Sequence, residues 1–192
     1  SLKFLEWSAT ASFPALPTNH SGDLLIRMRS QPALSSVEGM EFRPVQGDLN
    51  ASSNRDLFKV DLDSPKDSVP VLAGASFNLW EPDFGKPYGY AVNEEIRGFL
   101  RDRISRVQRR ADSPFNTWDT RNGVLPMDMA RIAFRDVTKP INRRTGLFCL
   151  VPPGSVLVHN APYLIRLVGD ERDEALLLGL CCSIPFDWYV RR

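Results

Sequence analysis

Residues that bind soft metals are scarce in this chain of 192 residues. It has two histidines, His20 and His159, and three cysteines, Cys149, Cys181 and Cys182. A zinc site needs three or four converging ligands, and no CxxC pair is present, so no metal is expected. Two cysteines are adjacent in an apolar helical stretch and the third lies in an apolar strand. That pattern fits buried thiols in a reducing cytoplasm, not a disulfide framework. No apolar run is long enough to span a bilayer, so no membrane partner is expected. The opening Ser1-Leu-Lys-Phe-Leu-Glu6 is interrupted by charge, unlike a signal peptide. Charge of one sign is missing too: 24 basic and 23 acidic residues leave a net charge of +1. Affinity for nucleic acid would therefore have to come from a local patch. There is no internal repeat and no Gly-rich phosphate loop.

What remains is an ordinary globular composition, 43% hydrophobic and 24% charged. The length suits one domain over residues 1–192, with residues 1–68 and 69–192 as possible sub-lobes. Ser21-Gly-Asp23 reads as a helix start, with Leu24, Leu25 and Met28 apolar and Pro32 beyond its end. Short strands are expected over residues 41–45, 57–62 and 69–72. Residues 93–112 form the best helical pattern. Ile96, Phe99, Leu100, Ile104, Val107 and Ala111 share one face, Asn93 is placed as N-cap, and Pro114 follows. Strands follow over residues 131–137, 146–151, 156–159 and 163–168. A helix is expected from Asp170, broken or kinked at Pro185 and resuming over residues 186–192. Strands and helices mix without βαβ alternation, which predicts an α+β fold: a mixed or antiparallel sheet with a basic hairpin, packed by the long amphipathic helix and a C-terminal helix.

Three constellations could carry function. Arg97, Arg101, Arg106, Arg109 and Arg110 lie off the apolar stripe of the long helix. They could track a phosphate backbone or form a solvated face paired with Glu94, Glu95 and Asp102. Arg131, Arg135, Lys139, Arg143 and Arg144 surround the first closing hairpin, with Asp136 the one acid nearby. A two-stranded ribbon fits the DNA major groove, where arginine contacts guanine. The alternative is a charged edge strand that blocks aggregation. Phe77, Trp80, Phe84, Tyr88 and Tyr90 cluster in a turn-rich stretch. Base stacking is one use for them, and a core or inter-lobe contact is the expected one.

No catalytic motif accompanies these residues. Val151-Pro-Pro-Gly154 lacks the Asn or Asp before the proline pair, and the aromatic after it, that hold a flipped base. It reads as a turn. Pro82-Asp83 and Asp136-Val-Thr-Lys139 have the wrong spacing for a metal-dependent nuclease, and His159 has no evident nucleophile beside it.

An ordered series of short motifs then resembles a known family. It runs through Pro17-Thr-Asn-His20, Asp23-Leu-Leu-Ile-Arg-Met-Arg29, Phe42-Arg-Pro44, Asn54-Arg-Asp-Leu-Phe58 and Val71-Leu-Ala-Gly-Ala-Ser-Phe-Asn-Leu-Trp-Glu-Pro-Asp83. It continues through Arg131 to Thr138, Asn142-Arg-Arg-Thr145, Leu150-Val-Pro-Pro-Gly154, Pro162-Tyr-Leu164 and Pro185-Phe-Asp-Trp-Tyr-Val-Arg-Arg192. The series resembles the target-recognition region of type IIG restriction-modification enzymes and phage-defence adenine-specific DNA methylases. It departs at Ala75, where many relatives carry Lys or Arg. The resemblance implies a non-catalytic domain that binds double-stranded DNA and places an adenine for N6 methylation. It implies a methylase domain of the same parent chain, upstream of Ser1, which holds S-adenosylmethionine; no cofactor is expected in this chain. On this view the chain is a piece of a larger enzyme. A protein-interaction module, docking a methylase or defence partner through the cysteine-bearing C-terminal helix, is the competing expectation. An independent nuclease is a third.

Overall fold

The computed structural model describes residues 16–60, 65–118, 122–139 and 141–191. The fold is α+β, with four α-helices and two sheets among the described residues. Helix α1 (Asn19–Arg29) starts two residues earlier than Ser21, because the Thr18 side chain accepts from the Ser21 N–H. Strands β1 (Glu41–Val45), β2 (Ser68–Leu72) and β3 (Gly89–Val92) follow. The strand expected over 57–62 does not form where it is described. Residues Arg55–Leu57 make a 3-10 turn, and Lys59 alone bridges Tyr90; residues 61–64 lie outside the described residues.

Helix α2 (Asn93–Val107) has Val92 as its cap residue and Asn93 as its first helical residue. It ends five residues short of Asp112. Arg110 N–H turns back to the Val107 carbonyl and Ser113 N–H to that of Arg110, so the chain leaves in tight turns ahead of Pro114. Strands β4 (Arg131–Phe134), β5 (Phe148–Val151), β6 (Val156–Leu157) and β7 (Tyr163–Val168) come next. Helix α3 (Glu171–Cys181) is capped by Asp170, whose carboxylate accepts from Arg172 N–H at 2.8 Å and Asp173 N–H at 3.2 Å. Ser183 caps α4 (Ile184–Val190), and Pro185 sits in its first turn, where its missing N–H costs nothing. Pro185 therefore opens the second helix instead of kinking the first.

One sheet is antiparallel, in the order β1-β7-β4-β5. Pro44 lies on its edge strand β1, where a missing donor is tolerated. The second sheet has the order β3-β2-β6, with β2–β6 parallel. Its central strand contains Pro70, opposite Tyr90. Tyr90 exchanges both of its backbone hydrogen bonds with Lys59, at 2.9 Å each, so it asks nothing of Pro70.

The four-stranded sheet is covered on both faces. Ile132 packs with Leu177, Leu178, Cys181 and Cys182 of the α3 region, with Phe148, Leu164 and Phe186 alongside. Ala133, Cys149, Val151, Tyr163 and Ile165 face a larger core that also takes in Val71, Leu157, Ile96 and Leu100. Val45, Leu49 and Phe58 belong to this same core, and β1 pairs with β7, so contacts cross residue 68. Among the described residues, no helix is long and apolar enough to cross a membrane.

Candidate nucleic-acid interface

Strands β4 and β5 are joined by residues 135–147, which carry Arg135, Lys139, Arg143 and Arg144 of the expected site. The first cation on β4 does not. Arg131 is expected among the DNA contacts, yet its side chain is 1% exposed. Its Nη1 donates to Asp48 Oδ2 at 2.7 Å and its Nη2 to the Ser155 carbonyl at 2.6 Å. The guanidinium also lies 4.7 Å from the centre of the Tyr163 ring. Asp48 further accepts from Tyr163 Oη and from Leu157 N–H, each at 2.9 Å. Burial lowers the Arg131 pKa, but the adjacent Asp48 outweighs it and keeps the group charged. Arg131 is thus a buried structural cation. The charged-edge alternative fails with it, because β4 lies between β7 and β5.

The other cations of this region stand outside the core. Lys139 and Arg143 are exposed, and Arg135 and Arg144 are half-buried. Val137 and Ile141 share the connection and are 78% and 88% exposed. Arg135, Arg143 and Arg144 line one cleft of about 750 Å³ together with Asn78, Asn142 and Leu79. Arg135 Nη2 donates to the Phe77 carbonyl at 2.5 Å, and Arg144 Nη1 to the Ser183 carbonyl at 3.3 Å. Arg135 Nε is buried without a partner. Burial alone lowers the pKa of this guanidinium.

Helix α4 fixes the turn that presents these cations. Asp187 Oδ1 accepts from Thr145 N–H at 2.6 Å and Gly146 N–H at 2.8 Å. Arg191 Nη2 donates to the Asn142 carbonyl at 3.0 Å and the Arg143 carbonyl at 3.1 Å, and its Nε to Thr145 Oγ1 at 2.8 Å. Neither residue stands out in the sequence as a site residue. They lie 41 and 48 positions beyond the residues they hold, and an isolated Asp or Arg on a short helix carries no pattern. Asp48 and Asn78 escape notice for the same reason.

The arginines of the long-helix segment are not equivalent. Arg97 is expected to be available to phosphate. It is instead held by Asp128 through two bonds of 2.6 and 2.8 Å. Burial raises the Asp128 pKa, but the Arg97 bonds and the Leu125 N–H more than reverse this and leave it low. Arg110 pairs with Asp112 in open solvent. Arg101, Arg106 and Arg109 are exposed; Arg106 and Arg109 border a depression with Asp102 and Ser105, apart from the cleft above. Arg109 and Arg110 lie beyond the end of α2.

The aromatic stretch divides. Phe77 is fully buried, and Tyr88 packs on Phe58 with ring centres 5.7 Å apart. Trp80 and Phe84 are 55% and 57% exposed, against the expectation of a core contact. Trp80 takes the left-handed conformation, φ 65°, and its N–H donates to the Phe148 carbonyl at 3.3 Å, beside the start of β5. Pro152-Pro153-Gly154 is an exposed turn with Gly154 at φ 81° and its N–H on the Met127 carbonyl. His159 Nδ1 accepts from Ala51 N–H at 3.2 Å, a structural contact. No cluster of three or more His, Cys, Asp or Glu that could hold a metal occurs among the described residues. Comparison with protein-family models and with curated proteins finds no match to this chain.

Proposed function

We propose that this chain is a non-catalytic domain that binds double-stranded DNA and reads its sequence for an adenine-specific methyltransferase domain of the same parent protein. The ordered motif series supports the methylase connection. The observation that carries DNA binding is the unequal treatment of the arginines. Arg43, Arg97, Arg110, Arg131 and Arg166 each have a carboxylate partner. Arg135, Arg143 and Arg144 have none among the described residues and gather around one cleft. Cations left unpaired on a turn held by two side chains of a neighbouring helix suit a polyanion. Val137 and Ile141 add exposed apolar groups to the same connection. Arginine contacts guanine and apolar groups contact the thymine methyl, so this connection carries both chemistries of major-groove readout. S-adenosylmethionine belongs to the methyltransferase domain in this reading, and the setting is the cytoplasm, where Cys149, Cys181 and Cys182 stay free.

The test is a gel-shift salt titration on a duplex motif selected from a random pool. Affinity should fall steeply with salt. Removing two phosphate contacts in Arg143→Ala/Arg144→Ala should reduce the log–log slope by about 2. A selected duplex bound no better than random DNA, with no loss in the double variant, sinks the reading.

A second reading has its own observation. An apolar groove runs past Met28, Leu34, Val37, Leu177, Leu180 and Phe186, and Leu176 and Ile184 are exposed near it. It would make α3 and α4 a docking face for the methyltransferase domain. Capture of that purified domain by a chain with no affinity for DNA would favour it.

A further inference from the structure

We propose that the cleft between Asn78–Leu79 and the Asn142–Arg144 turn is a binding site for one phosphoryl group. Its DNA source rests on the reading above; the phosphoryl chemistry does not.

Three guanidinium groups line the cleft, and the single carboxylate among its lining residues is Asp187. That carboxylate is buried, and its Oδ1 is occupied by the Thr145 and Gly146 amides. It shapes the wall without neutralising it. Arg135 is the more telling group. It has been drawn partly out of water, and no carboxylate compensates; its pKa falls through burial alone. A guanidinium in that state gains most from an anion that arrives with its own charge. Asn78 and Asn142 add side-chain amides to the lining. Amide N–H groups donate to phosphoryl oxygens as well as guanidinium groups do in geometry, though without the charge.

The placing of the donors selects the anion. A carboxylate holds its two oxygens in one plane and meets an arginine fork edge-on, whereas a tetrahedral phosphoryl group turns its oxygens in several directions and suits cations on different walls. The cleft volume, about 750 Å³, leaves room for the sugar as well, and Leu79 and Leu147 offer it apolar wall. The turn needs little ordering on binding. Asp187 and Arg191 already hold the backbone of Asn142, Arg143, Thr145 and Gly146.

Asp187 separates positioning from simple charge. Deleting an acid beside a cationic cleft should strengthen anion binding if charge alone mattered. Deleting a support of the turn should weaken it. The whole chain, labelled with nitrogen-15, would be titrated with inorganic phosphate at constant ionic strength, with chloride as control. Arginine Nε–H and asparagine amide signals would be followed. Saturable shifts should appear at Arg135, Arg143, Arg144, Asn78 and Asn142. Arg143→Ala, an exposed site that leaves folding intact, should weaken phosphate binding roughly tenfold. Asp187→Ala should weaken it also, and Asp187→Asn, which keeps the accepting oxygen, should restore it. Thermal melts identify any variant that has unfolded, and Arg135→Lys gives a second probe of the cleft.

No saturable response beyond chloride overturns the site, whatever the duplex does. Displacement of phosphate by a short duplex assigns the site to the DNA backbone. Phosphate binding with no duplex binding leaves the site standing and removes the DNA reading. Deoxyadenosine monophosphate then tests a free phosphate monoester as the source.

Discussion

Replacing Arg131 with methionine separates a folding role from a contact role. Methionine matches the apolar stem of arginine but removes the charge. It strands Asp48, which is buried and keeps Tyr163 Oη and Leu157 N–H as its carboxylate's donors among the described residues. The Ser155 carbonyl loses its donor as well. Breaking a buried ion pair from one side costs about 3–5 kcal/mol. That is a large share of a total stability of roughly 5–15 kcal/mol. At about 2–4 °C per kcal/mol for a chain of this size, the melting temperature should fall by roughly 6–20 °C. Asp48→Asn, which strands Arg131, should cost a similar amount. The double variant should cost clearly less than the two singles added, because removing both charges leaves none unpaired. Urea denaturation followed by circular dichroism measures all three. DNA affinity, measured well below the melting temperature and corrected for the folded fraction, should be unchanged in Arg131→Met. A stability loss under about 1 kcal/mol, or a loss of DNA affinity without a loss of stability, would refute the buried-cation assignment.

Glu174 should behave as a destabilising carboxylate at neutral pH. Burial raises its pKa, Arg166 at 4.0 Å only partly opposes this, and Glu171 adds to the rise. A raised folded-state pKa means the folded chain binds this proton more tightly than the unfolded chain. The penalty is full above the folded pKa and vanishes below the unfolded one. Glu174→Gln should therefore raise the melting temperature at pH 7, and the gain should shrink as the pH falls toward 4; a gain that grows on acidification contradicts this. The three thiols should resist iodoacetamide at pH 8 in the folded chain. Burial pushes Cys149 up to about 12 and Cys181 and Cys182 to about 11; mass spectrometry should find them alkylated only in denaturant. Gly47→Ala should cost at least about 2 kcal/mol. The backbone there has φ 114°, and a Cβ would lie 2.7 Å from the Val158 carbonyl oxygen; a melting temperature equal to that of the parent chain would rule this out.

Elements with strong local signals are legible in the sequence. The start of α3 is legible to within one residue: the acidic pair Asp170-Glu171 marks it, with Asp170 the cap and Glu171 the first helical residue. The body of α2 follows from the spacing of Ile96, Leu100 and Ile104, all buried. Its end is not legible, since residues 108–112 have helix-forming composition but turn toward Pro114. Arg131 shows the deeper difficulty. Alternation along β4 assigns Ile132 and Phe134 to one face and Arg131 and Ala133 to the other. It does not say how many faces are dry. Here both are covered, so the arginine is buried and takes a partner 83 positions earlier in the chain. The basic turn is legible from composition, because Asn142-Arg143-Arg144 cannot be a core. Its supports on α4 are not, for they depend on how α4 returns across β5.

The polar junction at Asp48 also bears on the order in which the chain assembles. Its bonds join residues 83, 109 and 115 positions apart, to Arg131, Leu157 and Tyr163. Arg131 and Tyr163 belong to one sheet and Leu157 to the other. These bonds cannot close until both sheets exist, because each must first overcome the entropy of a long loop. Their long loops lead us to expect that they close late, after the barrier to folding has been crossed. Interactions absent from the transition state act on the unfolding rate and leave the folding rate almost untouched. On that order of closure the junction is a latch, with little part in how fast the domain folds and a large one in how long it stays folded.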